Sequence, residues 1–177
     1  MKQIRKRKSS PGRKGKRCPQ SPRHGVRQEP ENRQANGARG AAHAQQPLPQ
    51  IGLAATVEAV VPPSWTIQAY DTRLPAVLST PAMIGMMEVA AAQAVQAELQ
   101  PGCITVGTRI EVDHLKPVLS GITVRAKARL AGYEGRFLVF ETEAHAGEHM
   151  IGRGRVFRAI VEHGEFTAKA NSPKTAG

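Results

Sequence analysis

The stretch "ITVRAKARLAGY" constrains this chain most: Ile122, Val124, Ala126, Ala128 and Leu130 alternate with Thr123, Arg125, Lys127 and Arg129. Residues two apart on a strand share a face, so this run predicts a strand with one apolar and one charged side. Such strands build antiparallel sheets with one solvated face, and the other face needs a cover. Three more strand-like runs surround it, "CITVGTRIEVDHL", "RFLVFETEAHA" and "MIGRGRVFRAIVEH". Their connections are "KPVLSG", "EG" and "GEH", the last two short enough for hairpins, which reads as an antiparallel meander. Upstream, "LAATVEAVVPPSWTI" predicts an opening strand broken at Pro62-Pro63, where the ladder would lose its donors.

The cover is "STPAMIGMMEVAAAQAVQAEL", residues 79 to 99. Thr80 before Pro81 is a helix-start signal, because the hydroxyl can cap a free backbone N–H and proline fits the first helical turn. "QPG" stops the helix near Leu99. One long helix and one sheet with a single apolar face predict an α+β fold, the helix wrapped by the sheet.

The chain's 177 residues suit one domain, expected over 51–166. The net charge of +11 invites a nucleic-acid reading, but its distribution argues otherwise. Residues 1–50 hold 13 Lys+Arg and 2 acids, whereas residues 51–177 hold 12 of each, so the domain is neutral. The first 50 residues have few large apolar groups and are expected to be a disordered basic tail. Without interleaved aromatics the tail reads as a solvated extension, or as sequence upstream of a misplaced start codon. Residues 167–177 are expected to form a flexible C-terminal tail. No run is long enough to span a membrane as a helix, and no apolar signal core follows the basic N-terminus. No membrane partner is expected, and the expected setting is cytoplasmic. Cys18 and Cys103 form no metal-ligand spacing such as CxxC, so no metal is expected.

One residue disturbs the apolar helix. At 3.6 residues per turn Thr80, Ile84, Met87, Glu88, Ala91, Val95 and Leu99 share a face, which puts a carboxylate among core residues. A buried carboxylate must be neutralised or partnered. On the next strand Val106, Thr108, Ile110, Val112 and His114 are expected on one face, with Arg109, Glu111 and Asp113 on the other. Glu88, His114 and Thr80 could therefore meet between helix and sheet. A carboxylate as nucleophile or water activator, an imidazole for proton transfer and a positioning hydroxyl suit acyl-transfer chemistry. Singly, each has a bland role: Thr80 a cap, His114 a core histidine, Glu88 an ion-pair partner, perhaps of an arginine. Three polar groups converging on one apolar interface form the anatomy of a small-molecule site.

The motifs "STPAMIGMMEVAA", "TVGTRIEVDHLKPVLSGITV" and "EAHAGEHMIGRGRVFRAIV" resemble the hotdog-fold thioesterases of the fluoroacetyl-CoA thioesterase type, over residues 55 to 166. The resemblance implies a hydrolase that cleaves a small acyl-CoA to free acid and CoA. It implies a homodimer with sites at the subunit interface, and CoA as part of the substrate, not a cofactor. Thr80, Glu88 and His114 fall on the family's catalytic positions, and Gly107 of "VGT" beside the acyl carbonyl. Asp71 and Leu74 occupy loop positions where the fluoroacetyl-specific member carries phenylalanines, so a different acyl group is expected, lying against Leu74, Met83, Ile84 and Met87. Two other readings stand beside hydrolysis. A hotdog hydratase or dehydratase would carry a "GDxNPxH"-like stretch, which is absent; a non-catalytic acyl-CoA-binding protein would not need Glu88.

Overall fold

The computed structural model describes residues 48–171; most of the expected basic tail and the last six residues lie outside them. In chain order the elements are β1 (Ala54–Val60), α1 (Thr80–Gln96), β2 (Cys103–His114), β3 (Thr123–Glu134), β4 (Phe137–Ala146), β5 (His149–Glu162) and α2 (His163–Asn171). The five strands form one antiparallel sheet in the order β1-β3-β4-β5-β2, with α1 lying mainly across β1 and β3. The α+β architecture read from the patterning is thus the observed one.

Alternation sorts the residues of β3 as expected, but Ile122, expected to begin the apolar face, lies before the strand and is exposed. Val124, Ala126, Ala128 and Leu130 are fully buried, while Thr123, Arg125, Lys127 and Arg129 face solvent. They meet Met83, Met87, Ala90, Ala91, Ala94 and Val95 of α1, with Leu138, Phe140, Ala144 and Val156 from β4 and β5 completing the core. Alanines on both surfaces let helix and sheet approach closely, and each large buried side chain contributes roughly 1.5–3 kcal/mol. The solvated face carries cross-strand ion pairs, Glu58–Arg125 at 2.9 Å and Arg129–Glu141 at 2.6 Å, each worth only about 0.2–1 kcal/mol.

Four other expectations change. Only β3, β4 and β5 form a meander: β1 and β4 occupy both edges of β3, so β2 takes the remaining place beside β5. Within β2 a bulge sets two residues, Gly107 to Arg109, against one step of β5, Arg158 to Phe157. An extra residue reverses the alternation. Gly107 therefore pairs with Arg158 on the helix side and Arg109 stacks 3.7 Å over the Phe157 ring on the outer side, so Val106 and Thr108 do not share a face with Val112 and His114. The buried stripe of α1 centres on Met83, Met87, Ala90 and Ala94, which leaves Ile84 and Glu88 on its half-buried flank. Finally, residues 163–171 form α2 where a polar tail was expected from residue 167; Glu162 accepts from the Glu165 N–H and so satisfies a donor of the first turn.

Candidate active site

Ser79, not Thr80, caps α1. The Ser79 hydroxyl accepts from the Ala82 N–H at 3.4 Å, and its own N–H donates to the Trp65 carbonyl at 2.8 Å. The Thr80 hydroxyl is thereby left to reach across to β2, where Oγ1 lies 2.9 Å from His114 Nδ1. His114 ends β2 opposite Gly152 of β5. A Cβ at Gly152 would stand 2.5 Å from Met83 Sδ and 2.6 Å from Cε, so the missing side chain makes room for the methionine behind the histidine's strand pair. His114 Nε2 is buried and has no hydrogen-bond partner among the described residues. A buried ring nitrogen left open in this way points to a chemical role more than a structural one.

Glu88 sits eight residues further along α1, about 12 Å at 1.5 Å per residue. Ile84 is four residues from each, on the same side of the helix and half-buried. The Glu88 side chain retains 33% of its exposure, and its Oε1 lies 3.2 Å from Arg158 Nη1. Arg158 is buried between β2 and the helix, where its Nε donates to Thr105 Oγ1 at 2.9 Å and its Nη2 to the Thr105 carbonyl at 2.8 Å. Burial pushes the guanidinium's pKa below the usual arginine value, and the neighbouring Glu88 carboxylate opposes that shift only in part. Gly107, opposite Arg158 in the ladder, gives the carboxylate its space: a methyl carbon there would overlap Glu88 Oε1 and stand 3.1 Å from Cδ.

The structure therefore assembles the sequence candidates as two pairs on one flank of α1, Thr80 with His114 and Glu88 with Gly107; the hydrogen bond of Glu88 goes to Arg158. Met83 is fully buried behind the site, and Leu74 is exposed on the loop that leads into α1. On the same loop Asp71 is bonded to Arg73 at 2.6 Å, and that guanidinium holds the carboxyl below the usual carboxylate range. A cavity of about 320 Å³ lined by Val57, Trp65, Ala82, Gly85 and Met86 opens on another side of α1 and holds none of these groups.

Arg158 and Thr105 were missed from the sequence. The signal for Arg158 was present: on "GRGRVFRAIV" it shares strand parity with Val156 and Ile160, a charge in an apolar stripe like Glu88 itself.

A family of fluoroacetyl-CoA-specific thioesterases, FlK, matches residues 61–164 of the chain. The fluoroacetyl-CoA thioesterase of Streptantibioticus cattleyicolor is 35% identical over 134 residues, covering 72% of this chain and 96% of its own. Among solved structures, a threonine-to-serine variant of FlK in complex with acetyl-CoA superposes with a TM-score of 0.66 at 34% identity, over 72% of this chain and 99% of that one. A thioesterase superfamily member from Thermus thermophilus superposes with a TM-score of 0.63 at 28% identity, over 68% and 90% of the two chains.

Proposed function

Because the chain belongs to the fluoroacetyl-CoA-specific thioesterase family, we propose that it hydrolyses the thioester of a small acyl-CoA, with Thr80, His114 and Glu88 as its catalytic groups. The observation that carries this reading is the 2.9 Å contact of Thr80 Oγ1 with His114 Nδ1, made between residues 34 apart at the N-terminal end of α1. The hydroxyl fixes the imidazole ring through Nδ1, and Nε2 is the nitrogen left to move a proton.

In hydrolysis, water adds its oxygen to the acyl carbonyl and gives up a proton, the C–S bond breaks, and the departing thiolate of CoA takes a proton. Glu88 starts the reaction, as base toward the water or as direct nucleophile; His114, seven residues or roughly 20 Å along β2 from the glycine beside Glu88, carries the proton toward the sulfur of a thioester held by a second copy paired along that strand. Arg158 holds one carboxylate oxygen, which fixes the direction of the other. In the nucleophile route an acyl-Glu88 anhydride forms with loss of CoA, and water then cleaves it.

The acting form is a homodimer. β2 is a twelve-residue edge strand paired in this chain to β5, and it bears Gly107 and His114. An edge of that length is a template for a second copy, which would cover both positions at once. The acyl group is small and differs from fluoroacetyl in what covers it, since the loop carries the charged Asp71–Arg73 pair and Leu74. Release of CoA from a panel of acyl-CoAs, followed with a thiol reagent, tests the reading; binding without release in the wild-type protein would overturn it.

A further inference from the structure

The Glu88–Arg158 contact raises a question of its own: what aims a flexible arginine at a half-exposed carboxylate? Opposite Arg158 the ladder places Gly107, so no cross-strand side chain steers it. Two residues back on the same face of β2 lies Thr105, buried like Arg158 itself. Thr105 supplies two acceptors to one edge of the guanidinium, its hydroxyl to Nε at 2.9 Å and its carbonyl to Nη2 at 2.8 Å. The guanidinium is planar and rigid, so holding that edge leaves Nη1 on the far side, 3.2 Å from Glu88 Oε1. Threonine is branched at Cβ and stiff about χ1, which makes its hydroxyl a fixed post.

We propose that Thr105 is a positioning residue for the reaction: its hydroxyl and carbonyl clamp Arg158, and Arg158 in turn sets the direction of the Glu88 carboxylate over the bare backbone of Gly107. This rests on the hydrolytic reading above. The carbonyl belongs to the backbone and survives substitution; the hydroxyl is the part that mutation can remove. Without it Arg158 Nε–H loses its acceptor in a buried place, the fork turns about its last bonds to find another, and Nη1 leaves Glu88.

Thr105→Val keeps the shape and removes the acceptor, and Thr105→Ser keeps the acceptor on a smaller side chain. In the full chain, T105V is expected to lower kcat by roughly tenfold or more, the scale of a displaced reacting group, with KM within about threefold of wild type. T105S is expected within about threefold of wild-type kcat although it has the larger packing defect. A second readout is the 15N–1H signal of Arg158 Nε–H, expected to be slowly exchanging in wild type and T105S and fast in T105V. Wild-type kcat in T105V, or equal losses in T105V and T105S, overturns the positioning role while leaving hydrolysis intact. Absence of CoA release from every acyl-CoA by the wild-type protein overturns the hydrolytic reading, and this inference with it.

Discussion

Gly107→Ala separates the site from the fold more sharply than removal of any catalytic group. A methyl carbon at that position would overlap Glu88 Oε1, stand 3.1 Å from Cδ and 3.7 Å from Arg158 Nη1. Ordinary contacts need about 3.5–4.0 Å, so the carboxylate oxygen must retreat by roughly 1.5–2 Å. It can do so, because it is the end of a flexible side chain with a third of its surface exposed. A retreat of that size takes it from 3.2 Å to beyond hydrogen-bonding distance of Arg158. The lost charged hydrogen bond costs about 1 kcal/mol once solvent screening is allowed for, and alanine in place of glycine in a strand returns about 0.5–1 kcal/mol. Net stability should therefore stay within about 1 kcal/mol of wild type. Catalysis is another matter: a displacement of about 1 Å at a reacting group costs on the order of 100-fold, or about 2.7 kcal/mol of barrier. Initial rates of CoA release and a thermal melt read the two quantities independently. G107A at wild-type kcat, or an activity loss that tracks a matching loss of stability, would refute the placement of Glu88 as a reacting group.

Further outcomes follow from the same geometry. His114→Ala should lower turnover by about 100-fold or more, as loss of a proton-transfer group does, while shifting Tm little; a variant that merely unfolds would return His114 to the role of a core residue. The backbone N–H groups of Glu165 and Gly164 hold the Glu162 carboxyl below its usual range. A depressed folded-state pKa contributes stability above the ordinary carboxylate value and loses it as pH falls through the folded one. Amide protection factors in α2, corrected for the slower intrinsic exchange at low pH, should accordingly fall on acidification while those of β3 hold, and unchanged protection factors in α2 down to full protonation of Glu162 would contradict its capping. A chain comprising residues 51–177 should retain full activity, since every proposed catalytic group lies within it; rates and melts of the two lengths compare directly.

Much of this was legible because period-2 and period-3.6 patterns report burial directly. β3 could be sorted residue by residue, since each of its faces is uniform from Thr123 to Leu130. The pairing of β2 with β5 was not legible, because alternation tells which face a residue takes and not which strand lies beside it. Nor was the bulge at Gly107–Arg109, which turns on one extra residue in a run of otherwise regular alternation. In the site, Glu88 stood out as the only charge in α1, and His114 was placed correctly on the helix side although Val106 and Thr108, assigned with it, were not. The cap was assigned one residue late: Ser79 and Thr80 are both good capping types, and only tertiary structure shows that Ser79 binds the helix amide while Thr80 binds His114. Thr105 carried no signal, since a threonine in a strand is ordinary until an arginine is found bonded to it.

Hydrolysis of an acyl-CoA thioester by this chain is proposed to depend on the Glu88 carboxylate. The most direct measurement is CoA release by the purified full chain across acetyl-, fluoroacetyl- and longer acyl-CoAs, beside a Glu88→Ala variant of equal Tm. Turnover of a small acyl-CoA by the wild type, abolished in E88A, is the predicted result; tight acyl-CoA binding with no release in the wild type, or undiminished release in E88A, would contradict it.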